Sequence, residues 1–173
     1  MTPYNLPRRA PVGADPDCMN DCERTLILLK PDALRRRLLG EILHRFERAG
    51  LEIHDIRRVE FTSARLEQHY AELRLKNPRA YDRNARYLAG QTGFAVVLSG
   101  IHAIAKTRSL TGPTEPAAAP PGTIRGDYSS DTIAIADAQD RGLHNLIHAA
   151  DSPEAAAREI ALWFEPEPKP QRV

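Results

Sequence analysis

The sequence predicts an α/β or α+β domain in which helices pack on one side of a mixed sheet. Three observations carry that expectation. Thr25-Leu26-Ile27-Leu28-Leu29 is a nearly unbroken apolar run, the pattern of a strand buried on both faces. It is followed at once by Leu34, Leu38, Leu39, Ile42, Leu43 and Phe46 at helical spacing, with arginines between them. Segments of strand and helix character then alternate almost to the end of the chain. At 173 residues, and roughly 150 residues per domain, one domain is expected.

Order is expected to begin at Thr25, after Pro-rich residues 1–22 without periodicity. The first helix should run through Phe46 and stop at Ala49-Gly50, where glycine tolerates a positive φ. Leu51 to Phe61 reads as extended, with an alternation that slips around Ile56. Thr62 or Ser63 can cap a helix bearing Leu66, Tyr70 and Leu73, and a second helical stretch spans Arg79 to Leu88 behind Pro78. Phe94 to Leu98 is the clearest later strand. A short helix near Ile101 to Thr107 leads into a loop rich in Pro, Gly and Ala from Gly112 to Gly126, and Thr132 to Ala136 reads as an added strand. Asn145 to His148 suits the tip of a strand. Ser152-Pro153-Glu154 starts a last helix, with Ser as cap, Pro in the first turn and Glu complementing the dipole, and that helix reaches about Phe164.

Composition narrows function. A net charge of +1, from 24 Lys and Arg against 23 Asp and Glu, excludes nucleic-acid binding by bulk charge but not a local anion pocket. Apolar runs are too short to span a membrane. Residues 1–22 carry prolines and arginines and no apolar core, so they do not read as a secretory signal, and a cytoplasmic location is expected. Cys18 and Cys22 suffice for one local bridge, for two ligands of a metal, or for a pair of reduced thiols.

Chemistry concentrates in the second half. Between Lys106 and Asp127 lie Lys106, Arg108, Thr114 and Arg125, among prolines and among glycines that let backbone approach a ligand. Arginine offers paired planar donors to phosphate oxygens and threonine adds a neutral one, so the stretch reads either as a polyphosphate site or as a solvated loop with incidental cations. His44, His54, His69, His102 and His144 sit in ordinary patterns, as surface or packed residues. His148 differs, because it closes a short apolar segment ahead of a helix N-terminus, with Glu159 on that helix able to reach back to the ring. Lys30 ends the first strand, pointing into a site or snorkelling at the strand end. No Walker loop, Rossmann glycine triplet or paired metal-ligand motif is present.

Several segments together resemble nucleoside diphosphate kinases. They are Arg24 to Asp32 with its strand and lysine, Gly40-Glu41-Ile42 with Arg45-Phe46-Glu47, Pro121 to Asp127, Asn145 to Ser152, and Glu159 to Phe164. The resemblance covers residues 23–165 as one domain, flanked by a 1–22 extension and a 166–173 tail. It implies a ferredoxin-like βαββαβ antiparallel sheet covered by helices, an α+β sandwich. It implies ping-pong transfer of the γ-phosphate of a nucleoside triphosphate to a nucleoside diphosphate, ATP and GTP among the substrates, through a phosphohistidine on His148. Glu159 would orient that imidazole and Tyr70 would bond near the transferred group. Lys30, Arg108, Thr114 and Arg125 would bind phosphates, Asn145 the sugar or phosphate end, and Tyr81 is the candidate for stacking the base. Magnesium (Mg2+) would bridge nucleotide phosphates rather than sit in a protein cage. Family members form homo-oligomers built on dimers, often hexamers. The chain departs from the family pattern at Ala150, where a serine usually helps hold the glutamate, at the altered stretch Asn77 to Tyr81, and in a lengthened 128–144 segment. Competing readings are a nucleotide-binding regulator without turnover and a nucleic-acid module, the latter opposed by balanced charge and the lack of an aromatic-basic stripe.

Overall fold

The computed structural model describes residues 22–164. The expected extension, apart from Cys22, and the expected tail lie outside the described residues, as does Cys18. Cys22 is an exposed free thiol that opens the first strand, which starts three residues before Thr25.

Four strands form one sheet in the order β2-β3-β1-β4: β1 Cys22–Leu29, β2 Glu52–Glu60, β3 Thr92–Ile101 and β4 Ile147–Ala149. Every pairing is antiparallel, which corrects the mixed sheet expected from the alternation of segments and agrees with the ferredoxin-like arrangement. Strand β1 lies between β3 and β4, and its side chains alternate between two cores. Ile27 and Leu29 join Ile42, Phe46, Val96 and Leu98 on one face. Leu26 and Leu28 join Phe61, Leu66, Leu88 and Trp163 on the other. Helices therefore cover both faces rather than one, and this is why β1 reads as an apolar run without alternation.

The first helical segment is split into α1 Pro31–Arg35 and α2 Leu39–Arg48, because Arg37 takes a left-handed φ of 57° between them. Gly50, at φ 81°, ends α2 as expected. The slip near Ile56 corresponds to a register shift between Ile53 and Asp55 of β2, which resets the faces of an edge strand. Thr62 caps α3 Ser63–His69 by accepting from Arg65 N. Tyr70 is the joint between α3 and α4 Ala71–Lys76, and Asn77 caps α5 Pro78–Leu88.

The segment expected to be a loop holds more regular structure. Lys106 and Arg108 lie on α6 Ala103–Thr111, Arg125 and Gly126 on α7 Ile124–Tyr128, and a 3-10 turn spans Pro116–Ala118. Gly126 serves packing: a Cβ there would come within 2.2 Å of Pro120 O. Thr132 to Ala136 is not a strand. Thr132 caps a helix, α8 Ile133–Ala138, its side chain accepting from Ile135 N at 3.0 Å. The last helix, α9 Pro153–Phe164, starts with Ser152 Oγ accepting from Ala155 N at 3.1 Å. No helix among the described residues is long and apolar enough to cross a membrane.

Phe46 is fully buried beneath the sheet, whereas Leu75 on α4 is exposed. Phe46→Ala should lower unfolding free energy by about 3–5 kcal/mol and Leu75→Ala by no more than about 0.5 kcal/mol, read from urea denaturation midpoints.

Candidate active site

Three residues of β4 set the centre. With a two-residue period, Ile147 and Ala149 enter the core under α2, and His148 faces α9 and α3. Its Nε2 lies 2.7 Å from Glu159 Oε2. Burial, then the charges of Lys30, Arg125 and Arg108, hold the imidazole well below its usual range, and burial pushes Glu159 up. A neutral ring with its Nε2–H donated to the carboxylate keeps the Nδ1 lone pair free, which is the state a nucleophile needs. The contact forms although Ala150 stands where the family pattern has a serine.

A cationic group surrounds this ring. Lys30 ends β1, is almost wholly buried, and donates from Nζ to Asn145 Oδ1 at 2.7 Å. Burial brings its pKa down to about 8. Asn145 Nδ2 in turn donates to Thr114 O at 2.9 Å, which ties the exposed Thr114 to the centre. Arg108 donates from Nη1 to Ala149 O at 3.3 Å, one residue from His148. Arg125 is buried, its pKa lowered to about 10 first by burial and then by Arg108. Three of its donors hold backbone: Nε to Asn145 O at 3.2 Å, Nη1 to Gly112 O at 2.8 Å and Nη2 to Ile147 O at 2.5 Å. It thus builds the site's wall as well as contributing charge. Tyr70 lies 6.5 Å from His148 between ring centroids, its phenol pushed up by burial and then by Glu159. Lys106, counted with the cationic stretch in the sequence, points elsewhere and donates to Ala49 O at 3.0 Å.

Tyr81 does not join this set. It lies on α5 near the Arg74 guanidinium, and the residues of α5 that share a cavity with Thr114 are Ala80, Arg83 and Asn84. A helical offset of one residue turns the side chain by about 100°, so Ala80 lines that cavity and Tyr81 does not.

Two contributors are invisible to the sequence reading. Asp32, named there only as the end of the motif from Arg24, is buried and accepts from Leu146 N through Oδ2 at 2.9 Å. Leu146 has φ 66°, a conformation disfavoured for a branched side chain, and Lys30 N donates to its carbonyl at 2.8 Å. The signal available was a carboxylate two residues after the strand lysine. His69, read as an ordinary histidine, packs against His148 with centroids 4.4 Å apart. His69, His148 and Glu159 bring ligand atoms within 4.8 Å of one another. Trp163 Nε1 donates to His69 Nδ1 at 3.3 Å, which leaves the His69 proton on Nε2 and makes it a donor rather than a metal ligand.

Comparison with known proteins agrees with this geometry. The sequence pattern of the family described as Nucleoside diphosphate kinase matches residues 23–168. Nucleoside diphosphate kinase 3 of Homo sapiens is 44% identical over 147 residues, 85% of this chain and 80% of that protein. The nucleoside diphosphate kinase of Pyrococcus furiosus is 42% identical over 149 residues, 86% of this chain and 87% of that protein. Among solved structures, a transition state mimic of nucleoside-diphosphate kinase from Borrelia burgdorferi with bound vanadate and ADP superposes with a TM-score of 0.81 at 31% identity, covering 84% of this chain and 88% of that one. An NDP kinase from Pyrobaculum aerophilum superposes with a TM-score of 0.76 at 36% identity, covering 84% and 97%. With its antiparallel sheet, its partly buried histidine and a family pattern running through most of its length, the chain belongs to the nucleoside diphosphate kinase family.

Proposed function

We propose that His148 carries the phosphoryl group in the nucleoside diphosphate kinase reaction that membership of this family assigns to the chain. The observation that supports this most directly is the 2.7 Å contact between His148 Nε2 and Glu159, which leaves Nδ1 as the free nitrogen of a neutral ring. Nδ1 attacks the γ-phosphorus of a nucleoside triphosphate, the bond to the β–γ bridging oxygen breaks, and the diphosphate departs with that electron pair. A terminal oxygen of a second diphosphate then attacks the same phosphorus and the N–P bond breaks, restoring the neutral ring. Phosphoryl transfer asks for positioning and charge stabilisation more than for covalent chemistry. Lys30, Arg108 and Arg125 would supply positive charge and Thr114 and Asn145 neutral donors, and Tyr70, 6.5 Å from His148 between ring centroids, would bond near the transferred group.

Magnesium fits this centre without a protein cage. Asp151 lines the same cleft as His148 and is exposed, and it would hold a largely hydrated ion there. When bound, the ion offsets phosphate charge. Assembly into a homo-oligomer built on dimers is part of the proposal, supported by β2, an edge strand with Ile56 exposed.

Incubation with γ-labelled ATP should leave an acid-labile, base-stable label on the protein, released by added GDP and missing in His148→Ala. Nucleotide binding without any label would favour the regulatory reading. Glu159→Ala should slow labelling about a hundredfold with nucleotide affinity little changed, since it loosens the ring rather than the phosphate site. Lys30 loses its charge as pH rises through about 8, so kcat/KM should decline above that pH, and Lys30→Arg, which stays charged, should remove that decline. Sedimentation would test assembly, and a monomer at micromolar concentration would refute it.

A further inference from the structure

His148 meets two elements that are far apart in the chain, the end of α3 and one face of α9. Glu159 and Trp163 lie four residues apart on α9 and share that face. Glu159 bonds the Nε2 of His148 directly. Trp163 donates from Nε1 to His69 Nδ1 at 3.3 Å, and the His69 ring meets the His148 ring edge to face, with centroids 4.4 Å apart and planes at 80°. One helix therefore reaches the reactive imidazole by two arms, a carboxylate and a second imidazole.

A single hydrogen bond leaves a histidine ring room to turn, because the torsion about its Cβ–Cγ bond has broad wells. Ala150 ends in a methyl group and offers the carboxylate no donor. The ring contact of His69 supplies the second restraint. His69 is held in turn by Trp163 and by Tyr70, the latter at 4.6 Å between centroids. Trp163 is fully buried and packs edge-on against Phe61 at 5.4 Å, so this arm is anchored in the core. Burial, then His148, bring the pKa of His69 down to about 3, so its ring is neutral near pH 7 and neither adds charge nor titrates there. Its Nε2 is enclosed without a hydrogen-bond partner among the described residues, an unfavourable arrangement that a phenylalanine would avoid. What an imidazole offers here and a phenyl ring does not is Nδ1, through which Trp163 orients the ring.

We infer that His69 is a positioning residue for phosphoryl transfer: oriented by Trp163, it fixes the plane of the His148 ring so that Nδ1 stays aimed at the phosphorus. The inference rests on the reading of His148 as the phosphoryl carrier. Misplacing a reacting atom by about 1 Å costs up to roughly a hundredfold in rate, and nucleotide affinity does not depend on that alignment.

Rapid-quench labelling of the full chain with γ-labelled ATP tests this, with the maximal rate of His148 labelling read separately from the ATP concentration at half saturation. His69→Asn keeps an acceptor near the place of Nδ1 and removes the ring. It should lower the maximal rate about tenfold or more, with half saturation within about twofold. His69→Phe keeps a ring without the acceptor, and Trp163→Phe loses the donor. Each should lower the rate about threefold, and the two together no further, because both remove the same hydrogen bond. A role in stability alone would move urea midpoints and leave the rates of folded protein unchanged. Labelling of His69→Asn at the unaltered rate would overturn the inference. So would a loss seen in half saturation instead of rate, since His69 would then touch nucleotide, and so would losses that add in the double variant. If His69→Asn does not fold, labelling of Trp163→Phe at the unaltered rate overturns it. If the unaltered chain takes no label, the phosphohistidine reading itself fails.

Discussion

The hydrogen bond from Leu146 N to the buried Asp32 carboxylate is the constraint on which the site depends. A leucine at φ 66° is strained by roughly 1–3 kcal/mol, and it persists only where surrounding contacts outweigh that strain. Asp32 holds its amide and the Lys30 amide holds its carbonyl. The turn so fixed brings Asn145 onto the Lys30 ammonium and starts β4 in the register that pairs His148 with Leu28. A shift by one residue would send the imidazole into the core and Ile147 toward Glu159. Core packing, strand pairing and the reactive ring thus share one local conformation.

Electrostatics follow from the same placement. Lys30 and Arg125 are desolvated, which lowers the pKa of each, and burial, followed by the charges of Lys30, Arg125 and Arg108, depresses that of His148. Buried cations without carboxylate partners are unfavourable on their own. Arg125 is made tolerable by three backbone carbonyls and Lys30 by an amide oxygen, groups that satisfy hydrogen bonds without cancelling charge. The positive potential therefore stays available to an anion, and dipoles set in advance need no reorganisation when phosphate arrives.

The resemblance of short motifs reached the central residues because those motifs are local. Lys30 at a strand end, His148 after an apolar pair and Glu159 one helix turn and a half into α9 are each visible as spacing. Tyr81 shows the limit, since a helix rotates each successive side chain and a one-residue difference moves a ring off the cavity. Asp32 and His69 show another, because their partners Leu146 and Trp163 are 114 and 94 residues away. The Pro- and Gly-rich stretch misled in a third way: Gly112 and Gly126 are there because Thr123 and Pro120 crowd them, and its arginines sit on short helices that composition hides.

By itself the sequence determined the strand that is apolar on both faces, the helix caps at Thr62 and Ser152, the stop at Gly50 and the order of the family's motifs, because each depends on neighbours within a few residues. Tertiary structure decided that the sheet is antiparallel and covered on both faces, that the arginine at 37 divides one helix into two, and that 133–138 forms a helix against α5. Those outcomes rest on pairing partners and buried charges far apart in the chain, and their energies exist only once the two cores have closed around β1.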